Sequence, residues 1–404
     1  MSDLSTITEQ EIEIKEVTKK NLRPVIGKEG FICLALFLGF FIILGTKMGT
    51  VNMFNTLMKT GYQLLMETVF YIMAIAVLAG AISGLLSEFG VISLINKGLS
   101  PLMKPLYKLP GASALGVVTT YLSDNPAIIS LAKDKGFLKY FKKFQVPALT
   151  NLGTSFGMGL ILTTFMIAQK SPTGENFVQA AIIGDIGAVI GSIVSVRLMI
   201  RHTRKYYGEH ADEMVYESDD DGYDSLKYRE VREGGVGARL LESLLEGGKS
   251  GVELGLAIIP GVVIICTLVL MLTNGPSPKG YTGAAYEGIA FFPWVGDKLS
   301  FILNPLFGFK HPEAIAFPIT SLGAVGAAMS LVPQFLSKNL IGANEIAVFT
   351  AMGMCWSGYL STHIAMMDSL NCRKLTGKAI LSHTVGGLVA GVSAHIIYML
   401  VTLI

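Results

Sequence analysis

Charged residues are scarce in this chain of 404 residues. Asp, Glu, Lys and Arg make up 15% of it, against about 25% in an average soluble protein. Hydrophobic residues make up 51%, and the mean hydropathy is +0.54. So apolar a chain cannot keep its surface hydrated, which excludes an ordinary cytosolic enzyme and a nucleic-acid-binding protein. The composition predicts an integral membrane protein.

Cysteine and sequence motifs of catalysis are also scarce. The 4 cysteines lie far apart, so no disulfide framework can be inferred. The chain lacks a Gly-rich phosphate loop ending in Lys-Ser or Lys-Thr, and it lacks a G-x-S-x-G nucleophile motif. These absences argue against a nucleotide-driven motor and against an enzyme, and no cofactor is expected. The charged residues before position 28 exclude a secretory signal.

Long uncharged runs predict the membrane-spanning helices. A helix needs about 20 apolar residues to cross a bilayer. The sequence indicates about seven such helices, at 31–46, 68–87, 144–169, 177–196, 254–277, 346–367 and 379–404. We divide the chain into a cytosolic lead-in (1–30), a first transmembrane helix and loop (31–63), a first repeat (64–200), a charged cytosolic linker (201–250) and a second repeat (251–404).

The two halves of the chain resemble each other at an offset of 200 positions. Thr150 and Gly153 correspond to Thr350 and Gly353. Leu99-Ser100 likewise corresponds to Leu299-Ser300, and Pro105-Leu106 to Pro305-Leu306. Each copy contains one helix, an irregular element and two more helices. Three crossings per copy place the second copy upside down, which predicts the inverted-topology repeat of many secondary transporters.

The irregular elements are segments 111–132 and 314–337, which Gly and Pro interrupt. Each is either a broken spanning helix or a re-entrant hairpin of two half-helices. Hairpins leave most Lys and Arg on one side, in agreement with the positive-inside bias. We therefore expect two re-entrant hairpins, a cytosolic amino terminus, a cytosolic linker and an external carboxyl terminus, in the cell membrane.

The first hairpin tip carries the most polar cluster inside an apolar segment. Thr120, Ser123, Asp124 and Asn125 precede Pro126, which disfavours helix at Asn125. Asp124 is a candidate to coordinate a cation, to pair with a basic solute or to carry a proton. Alternatively, Asp124 and Ser123 only cap the second half-helix.

The helices after the hairpins contain polar residues beside glycines. Asn151, Thr154, Ser155 and Ser357 could supply oxygen ligands, and Trp356 could stack on a flat solute. The alternative is that the glycines allow close helix packing and that the tryptophan is an ordinary packing residue.

A few ionisable residues lie inside the spans. Asp185 and His383 occupy corresponding repeat positions and form either a coupled pair, for instance a proton relay, or separate contacts to local hydroxyls. We expect an ion-coupling set of Ser123, Asp124, Asn151, Asp185 and His383. A metal site is not identified, and Cys355 with His363 is only a weak soft-metal candidate.

These patterns together resemble the Gate domain family, also called nucleoside recognition domains. The family includes concentrative nucleoside transporters, the membrane domain of FeoB-type ferrous iron transporters and spore maturation membrane proteins. The two similar copies centre on 115–166 and 316–366. By position, the resemblance implicates Ser123, Asp124, Asn125 and Asn151 of the first copy, and Thr320, Ser321 and Ser357 of the second. The acidic and Asn-Glu-Phe ligand signatures of the nucleoside transporters are absent.

The sequence thus predicts a secondary active transporter of a small polar solute, nucleoside-like or other, that works by alternating access in the lipid bilayer. Coupling to sodium or to a proton is expected, and a homo-oligomer is left open. The alternative is a non-transporting assembly or signalling protein of the spore-maturation type.

Overall fold

The structure is a computed structural model that describes residues 24–124, 126–132, 134–216 and 226–403. Over these ranges the chain forms helices and no β-strand. The helices are α1 (Lys28–Met48), α2 (Thr50–Glu88), α3 (Val91–Tyr107), α4 (Ser113–Leu122), α5 (Pro126–Leu131), α6 (Lys135–Leu138), α7 (Ala148–Thr154), α8 (Gly159–Ile167), α9 (Val178–Tyr207), α10 (Val236–Thr273), α11 (Phe291–Phe307), α12 (Ala316–Ser321), α13 (Val325–Met329), α14 (Val332–Ser337), α15 (Ala343–Cys355), α16 (Tyr359–Ser369) and α17 (Thr376–Thr402).

Five helices are long and apolar enough to cross a membrane, namely α1, α2, α9, α10 and α17. The other two predicted spans, 144–169 and 346–367, are each broken in the middle. α7 and α8 are separated at 155–158, where Met158 has a φ of 55°, and α15 and α16 are separated at 356–358. The expected all-α membrane architecture is confirmed, and the two interrupted spans are those whose glycines predicted an interruption.

The predicted starts of two spanning helices were wrong. α2 begins at Thr50 rather than near 68, and α10 begins at Val236 rather than near 254. α9 also continues to Tyr207, so helices extend into both ends of the segment predicted as a charged linker, 201–250. Charged side chains end a hydropathy run without ending a helix, because Glu, Lys and Arg are good helix formers in water.

A π-helical turn interrupts both α2 and α10. The turns are Leu64–Val69 and Gly261–Cys266, 197 positions apart, close to the offset of the sequence repeat. At this offset Glu67 corresponds to Ile264. The shared irregularity supports the assignment of α2 and α10 as equivalent helices.

α2 and α10 pack antiparallel through glycines. A Cβ built on Gly80 would lie 2.3 Å from the carbonyl oxygen of Gly247, and one built on Gly84 would lie 2.4 Å from that of Ser243. Residue numbers along α10 therefore decrease as those along α2 increase, which shows that the two helices are antiparallel. Small residues spaced four apart permit this approach of two backbones.

α9 and α17, which are also equivalent in the repeat, pack in the same way. Gly191 approaches the carbonyl oxygen of Gly386, and Gly187 approaches that of Ala390. Two pairs of equivalent helices that run in opposite directions are the arrangement that an inverted-topology repeat produces.

Both predicted hairpins turn back on themselves, and neither is a continuous helix. In hairpin 1 (α4 and α5), a Cβ on Gly116 would touch the side chain of Ile128 at 2.4 Å. In hairpin 2 (α12 and α13), the helix ends at Ser321 and restarts at Val325. Ala324, at the tip of hairpin 2, has its Cβ 3.7 Å from a Cβ position on Gly261 of α10. Direct approach of the two tips stays a prediction.

Candidate functional site

The tip of hairpin 1 faces a cavity of about 740 Å³ that lies between α2 and α10. Glycines of both helices form its floor, and hydroxyl and carboxyl groups are spread over its walls. The lining residues are Ala76, Gly80, Ser83, Gly84, Ser87, Ile92, Thr119, Leu122, Ser123, Asp124, Ala127, Ile161, Arg232, Glu246, Gly247, Ser250, Gly251, Glu253, Leu254 and Ala257.

Charged residues mark one end of this cavity. Arg232 Nη1 donates to Glu88 Oε2 at 2.6 Å, and its guanidinium also pairs with Glu246. Glu88 is almost fully buried and also accepts from Arg239 Nε at 2.7 Å. A buried carboxylate held by two guanidinium groups is costly to separate. These ion pairs therefore fasten the end of α2 to the beginning of α10 beside the cavity.

Ser123 and Asp124 both line the cavity, as expected of hairpin-tip residues. Ser123 is exposed and Asp124 is half-buried. Asn125 lies outside the described residues. Asn151, which we expected beside Asp124, is fully buried elsewhere. The expected cation site of Ser123, Asp124 and Asn151 is therefore divided between two locations.

Asn151 belongs to a buried polar network between α7, α9 and α17. Its Nδ2 donates to Ser195 Oγ and to the carbonyl oxygen of Ala379, each at 3.0 Å. Ser195 Oγ lies 2.9 Å from His383 Nδ1, and His383 Nε2 contacts the carbonyl oxygen of Cys355. Because a carbonyl only accepts, Nε2 carries the imidazole proton and Nδ1 accepts from Ser195.

This network fixes the broken helices against the antiparallel pair of α9 and α17. Trp356, beside the break in the second copy, donates to the carbonyl oxygen of His383 at 3.4 Å. The tryptophan is only 4% exposed and does not face the cavity, which favours the packing interpretation. Asn151 Oδ1 accepts no hydrogen bond from the described residues, and Asn151 does not line the cavity.

Most of the predicted hydroxyl ligands bond to their own helices. Each donates to a carbonyl oxygen three or four positions earlier, as Ser and Thr commonly do within helices. None of these five lines the cavity. They are Thr120 (2.7 Å to Gly116), Thr154 (2.7 Å to Thr150), Ser155 (2.7 Å to Asn151), Thr320 (2.7 Å to Ala316) and Ser321 (2.9 Å to Pro318).

Ser357 instead connects the two copies, because its Oγ donates to the carbonyl oxygen of Thr154 at 3.4 Å. Thr154 ends α7, and Ser357 lies between α15 and α16, so both lie where the sequence predicted an interrupted helix. The bond between Ser357 and Thr154 joins the break of one copy to that of the other.

Asp185 and His383 do not contact each other. Asp185 accepts from Thr163 Oγ1 at 2.7 Å and from the Tyr121 hydroxyl at 3.3 Å. It therefore ties hairpin 1 and α8 to α9, whereas His383 bonds to Ser195. Of the two interpretations weighed from the sequence, the geometry favours separate contacts to local hydroxyls over a direct pair.

Two charged residues of the cavity escaped the sequence analysis. Arg232 and Glu246 fall within 201–250, where their charge indicated a solvated linker. The sequence signal that could have placed them on a helix is the set of glycines four residues apart at 247, 251 and 255. This spacing indicates a packed helix that begins well before the apolar run.

The described residues contain no cluster of three or more His, Cys, Asp or Glu side chains that could hold a metal. Cys355 Sγ donates to the carbonyl oxygen of Ala188 at 3.7 Å. His363 Nδ1 bonds to the carbonyl oxygen of Tyr359 at 2.7 Å. Both candidate soft ligands thus have backbone partners.

The position equivalent to the cavity in the second repeat is filled by protein. An offset of 197 carries the α2 wall of the cavity, 76–87, onto 273–284. There α10 has already ended at Thr273, and residues 274–290 form a loop, which we call the sealing loop. Asn52 Nδ2 donates to the carbonyl oxygen of Tyr281 at 3.0 Å, and Lys59 Nζ to that of Gly283 at 2.9 Å. The loop therefore closes the space against the first turns of α2.

Glu287 organises the sealing loop. Its carboxylate accepts from Thr282 Oγ1 at 2.7 Å and from the Gly283 backbone N–H at 3.0 Å. Burial favours the neutral acid, but the hydrogen bonds from Thr282 and Gly283 outweigh it and hold the pKa of Glu287 below its ordinary value. The charged carboxylate is thus the form that holds the loop together.

Comparisons with known proteins show the fold. No protein-family model matches the sequence. The chain is 22% identical over 308 residues to an uncharacterised protein of Alkalihalophilus pseudofirmus, a match over 75% of this chain and 62% of that protein. Among solved structures, a double variant of CNTnw in an outward-facing state has a TM-score of 0.51 at 10% identity, over 92% of this chain and 86% of that one.

CNTnw in an inward-facing substrate-bound state has a TM-score of 0.49 at 11% identity, over 82% of this chain and 79% of that one. These are structures of a concentrative nucleoside transporter. The outward-facing structure, with its TM-score of 0.51, shows that the chain has a similar helical fold.

Proposed function

We propose that the protein is a secondary active transporter that moves a small polar solute across the cell membrane by alternating access. The observation that carries the proposal is a difference between the two repeats at equivalent positions. One holds a cavity of about 740 Å³, and the sealing loop fills the other. Alternating access requires a pathway that is open at one end and closed at the other, and inverted repeats exchange the two by adopting each other's conformation.

The solute would contact the tip of hairpin 1. Ser123 and Asp124 offer a hydroxyl and a carboxylate, and Glu253 offers a second carboxylate from α10. Irregular backbone at membrane depth persists where it lines a water-filled cavity, as the tip does here. In this proposal the solute replaces water at the tip, and the hairpin then moves relative to α2 and α10.

Coupling to sodium or to a proton is assigned to Asp124. A carboxylate at membrane depth costs roughly 3 kcal/mol on insertion scales, and binding a cation or a proton reduces that cost. In this scheme Asn151, through the two hydrogen bonds that Nδ2 donates, and His383 hold the broken helices against α9 and α17. Asp185 connects the hairpin to α9, so it is suited to transmit the movement of the tip.

The positive-inside bias supports a cytosolic amino terminus and an external carboxyl terminus. With that orientation the cavity opens to the cytosol and the sealing loop lies outside. No feature of the cavity favours a nucleoside over another polar solute, and a catalytic role is not proposed.

A counterflow assay tests the proposal. Purified protein is reconstituted in liposomes loaded with unlabelled nucleosides, amino acids or other small polar solutes, and uptake of the labelled solute is followed. Transport predicts transient accumulation of at least one solute, above protein-free liposomes. If no solute in a broad panel exchanges, the transport proposal fails and an assembly or signalling role is favoured.

A further inference from the structure

A second pocket, apart from the proposed transport cavity, lies at the carboxyl end of α3. Its volume is about 610 Å³. Four basic side chains share its walls with apolar and aromatic groups. The lining residues are Lys104, Lys108, Leu109, Pro110, Tyr140, Lys142, Phe144, Gln145, Arg204 and Met214.

The pocket keeps an excess of positive charge among the described residues. Lys142 Nζ and Arg204 Nη2 share one partner, Asp212, at 2.8 and 3.2 Å. Arg204 also stacks over the Phe144 ring, 4.5 Å from its centroid. Lys104 and Lys108 are exposed, and neither forms an ion pair within the described ranges.

The second copy of the inverted repeat shows whether these basic residues recur, because it contains the equivalent positions. Positions 200 residues after Lys104, Lys108 and Lys142 are occupied by Asn304, Gly308 and Gly342, and position 402, 198 after Arg204, is a threonine. All four cations are thus missing from the second copy.

The two copies nevertheless share a side-chain-to-backbone hydrogen bond at the pocket. Gln145 Oε1 accepts from the Lys142 backbone N–H at 2.9 Å, and Glu345 Oε2 accepts from the Gly342 backbone N–H at 3.0 Å. The basic side chains are therefore an addition to one copy and to one side of the molecule.

The pocket also lies where a lipid headgroup would be. α3 exposes an apolar face that includes Leu94, at 69%, and Leu102, at 49%. A helix with one exposed apolar face and a basic end is suited to lie in the bilayer interface. The basic groups of the pocket then sit at headgroup level.

We infer that this pocket binds the phosphate of an anionic phospholipid headgroup, through Lys104, Lys108, Lys142 and Arg204. Basic pockets between helices on the cytoplasmic side are suited to such headgroups. Lys supplies a point charge and Arg a planar fork of donors for phosphate oxygens. The inference is independent of the transport proposal, because the pocket shares no residue with the cavity.

Native mass spectrometry of the full-length protein tests it, with phosphatidylglycerol, phosphatidylcholine and inorganic phosphate as separate probes. The unchanged protein should bind phosphatidylglycerol in preference to phosphatidylcholine. Lys104→Gln with Lys108→Gln should weaken phosphatidylglycerol binding roughly 25-fold, because each basic group near an anionic headgroup contributes roughly fivefold. Lys104→Arg with Lys108→Arg should retain it.

Lys279→Gln with Lys298→Gln is the matched control, since both lysines are exposed and lie outside the pocket. Equal binding of the two lipids, or the same loss in the control, would overturn the inference. Binding of inorganic phosphate without any preference for phosphatidylglycerol over phosphatidylcholine would also overturn it, since the pocket would then hold only a free anion. A folded Gln variant, judged by size-exclusion chromatography, with unchanged lipid binding would likewise contradict it.

Discussion

Asn52 Nδ2 lies 3.0 Å from the carbonyl oxygen of Tyr281 and joins the first turn of α2 to the sealing loop. Lys59 reinforces this contact through the carbonyl oxygen of Gly283, and Thr60 Oγ1 accepts from the Tyr286 backbone N–H at 2.9 Å. Three bonds to polar side chains on one helix therefore hold the loop. Tyr281 and Ile289 of the loop also pack against a buried apolar cluster that includes Met48 and Met53, so the loop leaves α2 only when these bonds and this packing are broken.

Asn52→Ala with Lys59→Ala should open the sealing loop more often. Each hydrogen bond contributes about 1 kcal/mol net, so losing two should raise the open population roughly tenfold or more. The measurement is the labelling rate of a cysteine placed at Met53, in a background with Cys33→Ser, because Met53 is 2% exposed and belongs to the cluster against which Tyr281 and Ile289 of the loop pack. Lys298→Ala is the control, since Lys298 lies on α11 away from this seal. Equal labelling rates in both would show that these bonds do not hold the loop.

Gly80→Ala should destabilise the protein. The added Cβ would lie 2.3 Å from the carbonyl oxygen of Gly247, a backbone atom that can yield only if the helices separate. Overpacking of this kind costs about 1–3 kcal/mol. Gly39→Ala is the matched control, because nothing lies within 4 Å of its Cβ position. Thermal unfolding in detergent should show a lower Tm for the first variant only, and equal Tm values would refute the close contact.

Much of this fold can be predicted from the sequence, because its signals are local. Apolar runs located the spans, and glycine and proline located the two hairpins and the two broken helices. Helix ends outside the bilayer were not predictable from hydropathy, since the first turns of α10 are charged yet helical. Glu246 was consequently assigned to a linker, although it lies on the cavity wall.

The candidate site was predicted only in part, because it depends on tertiary packing. Ser123 and Asp124 do line a cavity. Asn151 was expected beside them on grounds of residue type, but its partner Ser195 lies on α9, and no local pattern shows which helix faces which. Five hydroxyls were expected to face a ligand, yet they bond to carbonyls of their own helices.

Ser195→Ala should destabilise the buried network. The change removes the acceptor of Asn151 Nδ2 and the donor to His383 Nδ1, and each buried group left unpaired costs about 1–3 kcal/mol. Thr402→Ala is the control, since Thr402 is exposed and bonds within its own helix. Unfolding should begin at lower temperature for Ser195→Ala alone. A Tm equal to that of the control variant would contradict the assigned network.

Asp124→Asn should remove ion coupling while the protein remains folded. The substitution preserves the side-chain shape and a capping oxygen but eliminates the charge. Uptake into liposomes should then lose its dependence on sodium or on pH. Glu242→Gln, an exposed carboxylate of α10 outside the cavity lining, is the control and should retain that dependence. If the Asn variant keeps its ion dependence, Asp124 is only a helix cap.

The central claim is that transport requires the sealing loop to leave α2. Asn55→Cys with Gly283→Cys, in a Cys33→Ser background, places the two sulfur atoms for a cross-link, because a Cβ on Gly283 would lie 2.9 Å from that of Asn55. Relaxation of about 1 Å reaches disulfide geometry. The measurement is counterflow in liposomes before and after oxidation. The account predicts that oxidation stops solute exchange and that a reductant restores it, whereas undiminished exchange by the fully cross-linked protein would contradict it.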